Sequence, residues 1–428
     1  MNYYNRAKKY YLETSNIIDI RFIKNLVIFK KIAAKTNFNL NIIDKNKYEV
    51  IENSCDKIIE KSDFPEIVVF QTGSGTGMNM AINDLICDYA RNYFRTEIDP
   101  NDDVNRSQSS NDVIPSVLRI TLYMERMTLL KEIQKLVKEL EKFSIRYRYY
   151  IKSGRTHLRD ALPVSLGLEF LSYHEKIKND LIKIEDAFED LKYIPAGGTA
   201  VGTGMLSSEK FKEELIKNLN YYFGENFTLL KDPGEKMKFV TDVTFLLNSI
   251  SIYCSDIIRI SQDLRLMFSG PFTGINEIEL KNMDIEGSSI MPGKKNPVTL
   301  ESILLGCTYV RGISKISEDS SIIGEFELSL SFPLQMYISI QALDIAIEST
   351  KKLILFLNLI LPNKKRMENF ALYNPEILAL LREKLPYKDV SKIIKESDKM
   401  DIKQLFKIYK LRPGKIKEII FNSIDKFY

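Results

Sequence analysis

Apolar residues fall at helical intervals over three long stretches of the chain. Val117, Ile120, Met124, Met127, Leu130, Ile133, Val137 and Leu140 recur at steps of three or four, and the spacing predicts a helix of about 30 residues, about 45 Å long. A second stretch runs from Val240 through Val243, Leu247, Ile250, Tyr253, Ile257, Ile260 and Leu264 to Met267, and ends at Ser269-Gly270-Pro271. A third spans Gln335 to Leu361 and stops at Pro362. Nearer the start, Ile18, Phe22, Leu26, Phe29 and Ile32 repeat the pattern in a charged, helix-prone region reaching Phe64, with a polar break over 37–46. No convincing set of alternating strands accompanies them. The expected architecture is all-α, with long helices forming a central bundle. Residues 1–107 are expected to form an N-terminal helical domain, 108–362 the long-helix domain, and 363–428 a small, basic, helical C-terminal domain broken at Asn374-Pro375 and Leu385-Pro386.

Polar segments interrupt this pattern at the ends of the helices. Gly287 to Glu301, GSSIMPGKKNPVTLE, offers Ser288 and Ser289, two prolines, Lys294, Lys295 and Asn296 ahead of an apolar run that starts a helix. Such a segment is often only a solvated connection, so other segments must decide its meaning. Gln71 to Gly77, QTGSGTG, precedes a helical run from Met78 to Tyr93. Its glycines allow a ligand close to the backbone, and Ser74 and Thr76 bring hydroxyls to a helix start, where free N–H groups favour an anion. It lacks the lysine of a Walker A loop and the spacing of a dinucleotide site. Ser109, Ser110 and Asn111 stand before Pro115, which suits the first turn of the first long helix. His157 lies in KSGRTHLRDALPVSLGLE, a polar stretch after a helix-breaking Gly154. PAGGTAVGTG, residues 195–204, reads as a tight connection or a site wall.

Composition narrows the chemistry. The 428 residues carry 61 basic and 57 acidic side chains, a net charge of +4, so no nucleic-acid footprint is indicated. Only two histidines occur, which excludes a His-rich metal site; His174 sits within a helical pattern and reads as structural. Cys55, Cys87, Cys254 and Cys307 lack CxxC spacing and read as buried thiols of a reducing compartment. No signal peptide is evident, and the longest apolar run, Leu353 to Leu361, is too short to span a membrane. A soluble, cytoplasmic protein is expected.

Taken together, the segments resemble the fumarase/aspartase superfamily over about residues 65 to 345. GSSIMPGKKNP is similar to that family's signature loop, and TGSGT, SQSSND, GRTHL with DALPVSLG, and GGTAVGTG resemble its other site segments, in the same order. Within the superfamily, SQSSNDV, PAGGTAVGTG and GEFELSLSFPLQMY are more similar to class II fumarases, whereas DLRLMFSGPFTGINEIEL has an aspartase character. The resemblance implies reversible hydration of fumarate, with aspartate ammonia-lyase as the alternative and a catalytically inactive helical scaffold as a more remote one.

It also implies roles. Ser288 is the expected base for the Cβ proton of malate. Thr76, Ser109, Ser110 and Ser289, with Ser74 beside them, hold the carboxylate that becomes an enediolate. Thr156, Lys294 and Asn296 hold the other carboxylate, and Asn111 and His157, with His157 oriented by Glu301, face the leaving hydroxyl. No metal or organic cofactor is implied. The partners implied are a small dicarboxylate and three further copies of the chain, in a homotetramer whose sites draw segments from three subunits. Four positions depart from the family pattern: Asp99 stands where fumarases carry a histidine of a secondary carboxylate site, Arg159 replaces Gln, Phe272 replaces Arg, and Lys295 replaces Val.

Overall fold

The computed structural model describes residues 2–281, 287–291, 293–383, 385–396 and 402–428. Pro292 of the signature-like loop lies outside them. In chain order the helices are α1 (Asn2–Lys8), α2 (Ile20–Asn39), α3 (Lys45–Lys61), α4 (Thr76–Phe94), α5 (Ser110–Arg146), α6 (Leu166–Asp190), α7 (Glu209–Phe223), α8 (Gly234–Lys238), α9 (Thr241–Phe268), α10 (Val298–Ser321), α11 (Phe332–Leu359), α12 (Lys364–Tyr373), α13 (Tyr387–Glu396), α14 (Ile402–Ile408) and α15 (Pro413–Ile424). Strands are short and minor. A hairpin of β1 (Ile151–Thr156) and β2 (Arg159–Ser165) is the largest antiparallel pair. The others are β3 (Tyr193–Ile194) beside β4 (Thr228–Leu229), β5 (Ile278–Leu280) beside β8 (Ile360–Pro362), and β6 (Gly324–Glu325) beside β7 (Leu328–Ser329).

The three periodic stretches are helices, as the spacing requires. The first is longer than its apolar pattern suggests, at 37 residues. It begins at Ser110 instead of at Pro115 because Ser109 Oγ accepts the Asn111 N–H and Asp112 accepts the Ser109 N–H, which caps the end a turn earlier. The 25-residue α6, which the sequence reading treats only as a helical context for His174, is a further long element. There His174 Nδ1 lies 3.0 Å from the Val137 carbonyl, a structural contact.

The chain divides into two compact units. Unit 1 comprises Met1–Leu130, Ile182–Cys254 and Cys307–Ile347, and unit 2 comprises Lys131–Leu181, Ser255–Gly306 and Glu348–Tyr428. Unit 1 is held by apolar side chains such as Val117, Leu118, Leu247, Ile250, Val310 and Leu343, all buried. Two polar features fix how its helices mate. Arg119 of α5 is fully buried and meets the Asp242 carboxylate of α9 through Nε at 2.7 Å and Nη2 at 2.9 Å. Burial alone would raise the Asp242 pKa, but Arg119 and Lys236 outweigh it and hold the carboxyl below its usual value. Thr244 Oγ1, Ser317 Oγ and Gln335 Oε1 form a buried chain across α9, α10 and α11, with links of 3.0 and 2.9 Å. Helix α9 is long and apolar enough by composition to cross a membrane, yet its Val243, Leu246, Leu247 and Ile250 belong to this core.

Unit 2 has a core of its own. Ile151 of β1 packs with Leu372, Leu378, Leu405, Phe406, Ile416 and Ile420 from the C-terminal helices, so the hairpin is anchored by the apolar first residue of β1 while its far end is exposed. All four cysteines are buried and outside any disulfide.

Candidate active site

In unit 1 three of the polar segments meet. Ser74 Oγ and Thr76 Oγ1 share a hydrogen bond of 2.8 Å, and Thr76 Oγ1 and Ser110 Oγ another of 2.9 Å. Ser110 Oγ reaches the Asn111 side chain at 3.4 Å, and Asn111 Nδ2 donates to the Ala200 carbonyl at 2.9 Å. TGSGT, SQSSND and the glycine-rich turn are thereby one polar cluster. Helix α4 starts at Thr76 and α5 at Ser110, so the hydroxyls gather where two helices present backbone N–H groups without intrahelical partners, an arrangement that favours an anion. The segment before α11 closes against it. A Cβ on Gly73 would come within 2.1 Å of the Leu330 carbonyl oxygen, and Phe332 N–H donates to the Gly73 carbonyl at 3.2 Å.

Beneath this cluster lie two charges that sequence reading passes over. Asp112 is fully buried; its Oδ1 accepts from Ser109 N at 2.9 Å and its Oδ2 from Gly197 N and Thr199 N at 2.9 and 3.0 Å. Burial pushes its pKa up to about 6 despite those bonds and the nearby Lys30 charge. Lys30 of α2 is also fully buried and donates to Asn105 Oδ1 at 2.7 Å and Gln108 Oε1 at 3.1 Å. Burial brings its pKa down to about 7, with Asp112 opposing the shift. The signal was available for Lys30: it falls in register with Ile23, Leu26, Val27, Ala33 and Ala34 on the apolar face of α2. A lysine there is either a register error or a buried charge.

In unit 2 the β1–β2 hairpin turns through two residues, His157 and Leu158, with Thr156 paired to Arg159. Both turn residues have positive φ, 55° and 57°, as a type I′ turn needs, although neither is Asn, Asp or Gly. Non-glycine residues in that region carry strain that commonly marks functional sites. Thr156 and His157 are exposed at the tip. At the hairpin base, the buried Glu277 carboxylate meets Lys152 Nζ at 3.0 Å and Arg155 Nη1 at 2.8 Å, and Lys152 also binds Glu169 at 2.6 Å. Glu169 and Glu277 outweigh burial and raise the Lys152 pKa, keeping it charged.

The signature-like loop folds back on itself. Asn296 Nδ2 donates to the Gly287 carbonyl, and only glycine fits at 287, since a Cβ would lie 1.9 Å from the Lys294 carbonyl oxygen. Ser288 Oγ accepts from the backbone N–H groups of Met291 at 3.1 Å and Ile290 at 3.4 Å. Ser289 and Lys294 are exposed, while Ser288 and Asn296 are half-buried. Lys294 and Asn296 line a cavity of about 690 Å³ with Lys295, Arg259, Arg265, Asp263, Gln262 and Leu158, so the hairpin tip and the loop border one cationic space within unit 2. Glu301, in the first turn of α10, pairs with Arg265 at 3.5 Å; within the chain its ion pair is not with His157. Among the described residues no three His, Cys, Asp or Glu side chains group as a metal site would require.

The site residues expected from the sequence therefore fall into two sets: Ser74, Thr76, Ser109, Ser110 and Asn111 in unit 1, and Thr156, His157, Ser288, Ser289, Lys294, Asn296 and Glu301 in unit 2. A lyase family model matches residues 2–312. The chain belongs to this lyase family. It is 36% identical over 429 residues to a class II fumarate hydratase of Saccharolobus solfataricus, covering 98% of this chain and 97% of that protein. It is 32% identical over 398 residues to the class II fumarate hydratase of Listeria monocytogenes, covering 91% and 87%. The crystal structure of a class II fumarase from Schistosoma mansoni superposes with a TM-score of 0.91 at 25% identity, covering 97% of this chain and 93% of that one. The all-α fumarase/aspartase-like fold expected from the resemblance is the fold this lyase adopts.

The departures from the family pattern have local explanations or none. Asp99 caps the π-helical turn Pro100–Val104, its carboxylate accepting the N–H groups of Asn101 and Asp102, both at 2.8 Å. Those donors are thus taken by the chain's own carboxylate. Arg159 and Phe272 are exposed, and Lys295 lines the cationic cavity; nothing in the chain's own contacts explains the Phe272 replacement.

Proposed function

We propose that this lyase interconverts L-malate and fumarate by anti elimination and addition of water through an enediolate. The observation that carries the proposal is the end-to-end likeness to a class II fumarate hydratase, 36% identical across 98% of the chain. The site chemistry supports it. Taking a proton from the carbon next to a carboxylate puts a second negative charge on that carboxylate, which only a dense, fixed set of donors can hold. Thr76, Ser109, Ser110 and Ser289 supply hydroxyls for it, with Ser74 bonded to Thr76, and the N-termini of α4 and α5 lend backbone N–H groups. Thr156, Lys294 and Asn296 hold the other carboxylate.

Ser288 takes the Cβ proton. A serine hydroxyl is a weak acid, so its alkoxide must be stabilised before it can serve as a base. The N–H groups of Ile290 and Met291 already point at its oxygen, and Lys294 adds a positive charge to the same loop. The C–O bond breaks on the opposite face, and the departing hydroxide is protonated through a water held by Asn111 and His157. In the reverse direction the same groups deliver water to fumarate and return the proton from Ser288.

The site is composite and the enzyme a homotetramer. Three features support this: His157 and Glu301 are exposed in the chain, Glu301 pairs internally with Arg265, and the long helices expose apolar side chains, among them Phe245 and Ile252 on α9 and Tyr309 and Ile316 on α10. Four buried cysteines outside any disulfide suit a soluble enzyme of the reducing cytoplasm. The test is whether purified protein forms fumarate from L-malate and sediments as a tetramer; no fumarate overturns the activity, and a fully active monomer overturns the shared site.

A further inference from the structure

Asp112 has no part in the chemistry above, yet its carboxylate touches both walls of the hydroxyl cluster. One oxygen fixes the start of α5 through Ser109 N–H, and the other fixes the glycine-rich turn through Gly197 and Thr199 N–H. Between these anchor points lies Asn111, whose side chain spans from α5 to Ala200 of the same turn. Moving either wall relative to the other therefore moves Asn111 and its neighbours Ser109 and Ser110.

We propose that Asp112 is a positioning residue for the reaction: its carboxylate clamps the Ser109–Asn111 segment to the turn at Gly197–Ala200, and the buried Lys30 ammonium is the counter-charge that allows a carboxylate to be kept there. This rests on the reading of Ser109 and Ser110 as groups that hold a substrate carboxylate and of Asn111 as one that faces the leaving hydroxyl. A carboxylate is required because both oxygens must accept. Asparagine has the same shape but a single acceptor oxygen, so its NH₂ would face either Ser109 N–H or the two N–H groups of the turn. A buried carboxylate in turn needs a compensating cation, and Lys30, which also grips Asn105 and Gln108 of the same loop, is placed to be it. Displacements of about 1 Å in such groups are enough to cost a site much of its effectiveness.

The test is a double-mutant cycle on the full-length enzyme with L-malate as substrate: wild type, Asp112→Asn, Asn111→Ala and the pair, with assembly followed by gel filtration and folding by far-ultraviolet circular dichroism. Asp112→Asn is expected to raise KM about tenfold, the scale of one lost hydrogen bond to a charged group, while assembly and folding stay as in wild type. On the Asn111→Ala background the same substitution is expected to raise KM by a smaller factor than it does alone, because one of the three groups it positions is gone. An unchanged KM in Asp112→Asn, or the full effect in both backgrounds, overturns the proposal and leaves Asp112 a structural residue. If Asp112→Asn does not fold, Lys30→Met carries the same cycle with the same expectations. A wild-type enzyme silent on L-malate would instead sink the functional reading beneath the inference, which separates the two failures.

Discussion

The Oγ of Ser288 lies 3.1 Å from the backbone nitrogen of Met291, which donates to it. An N–H aimed at a hydroxyl oxygen favours the alkoxide over the alcohol, and here a second N–H, from Ile290, reaches the same atom. Ser288→Ala removes the base while leaving the loop closed by Asn296 and Gly287. Turnover of L-malate is expected to fall by roughly 10²–10⁴-fold, the usual span for a positioned general base, with an unchanged melting temperature. Residual turnover within threefold of wild type would remove Ser288 from the mechanism.

The Thr76–Ser110 bond joins two segments that lie 34 residues apart in sequence. Thr76→Val keeps the shape at the start of α4 and deletes one donor. KM for L-malate should rise about tenfold, in line with a lost hydrogen bond to a charged group. Steady-state kinetics on the folded variant would contradict this if KM stayed constant.

Glu277 is the fully buried acceptor shared by Lys152 and Arg155. Breaking such a cluster from one side strands buried cations, which costs about 3–5 kcal/mol. Glu277→Gln is therefore expected to destabilise the enzyme by about that amount in urea denaturation, and to loosen the hairpin that carries Thr156 and His157. A loss below about 1 kcal/mol would mean that the cluster is solvated and does not hold the hairpin.

Lys30 and Asp112 also make stability depend on pH. Burial raises the Asp112 pKa from the ordinary 3.8 to about 6 in the folded chain, so the stability it lends at low pH is lost as the pH rises from about 4 through 6. Lys30 titrates at about 7 against 10.5, so its contribution is present at high pH and is lost as the pH falls towards 7. The two groups together lower stability most between about pH 6 and 7. Melting temperatures of wild type and of a Lys30→Met/Asp112→Asn variant are expected to differ most favourably for the variant in that window, and less at pH 4 and at pH 10. A difference independent of pH would mean that neither group titrates there.

Much of this architecture is legible in the sequence because long amphipathic helices announce themselves through spacing. The cores of α5, α9 and α11 follow directly from residues such as Val117, Leu247 and Leu343, and the polar segments at helix ends mark where hydroxyls can face a ligand. The hairpin was not legible. Its strands are polar and short, and its turn residues, His157 and Leu158, carry none of the glycine or asparagine that usually flags a type I′ turn. It is held by its surroundings, with Ile151 buried in the C-terminal core and Lys152 and Arg155 paired to the buried Glu277. Asp112 is hidden for a different reason: a lone charge in a helix is usually solvated, and although the apolar register of α2 marks Lys30 as buried, nothing local to either residue reports that the other is near. Their meaning depends on an electrostatic interaction across 82 residues of sequence, from α2 to α5.

The most direct measurement of the proposed function is ultraviolet absorbance of the fumarate double bond, followed with purified wild-type enzyme given L-malate in one cuvette and L-aspartate in another. Absorbance rising with L-malate alone is the expected result, with water as the leaving group. Fumarate from L-aspartate alone would contradict it and make the enzyme an ammonia-lyase built on the same donors.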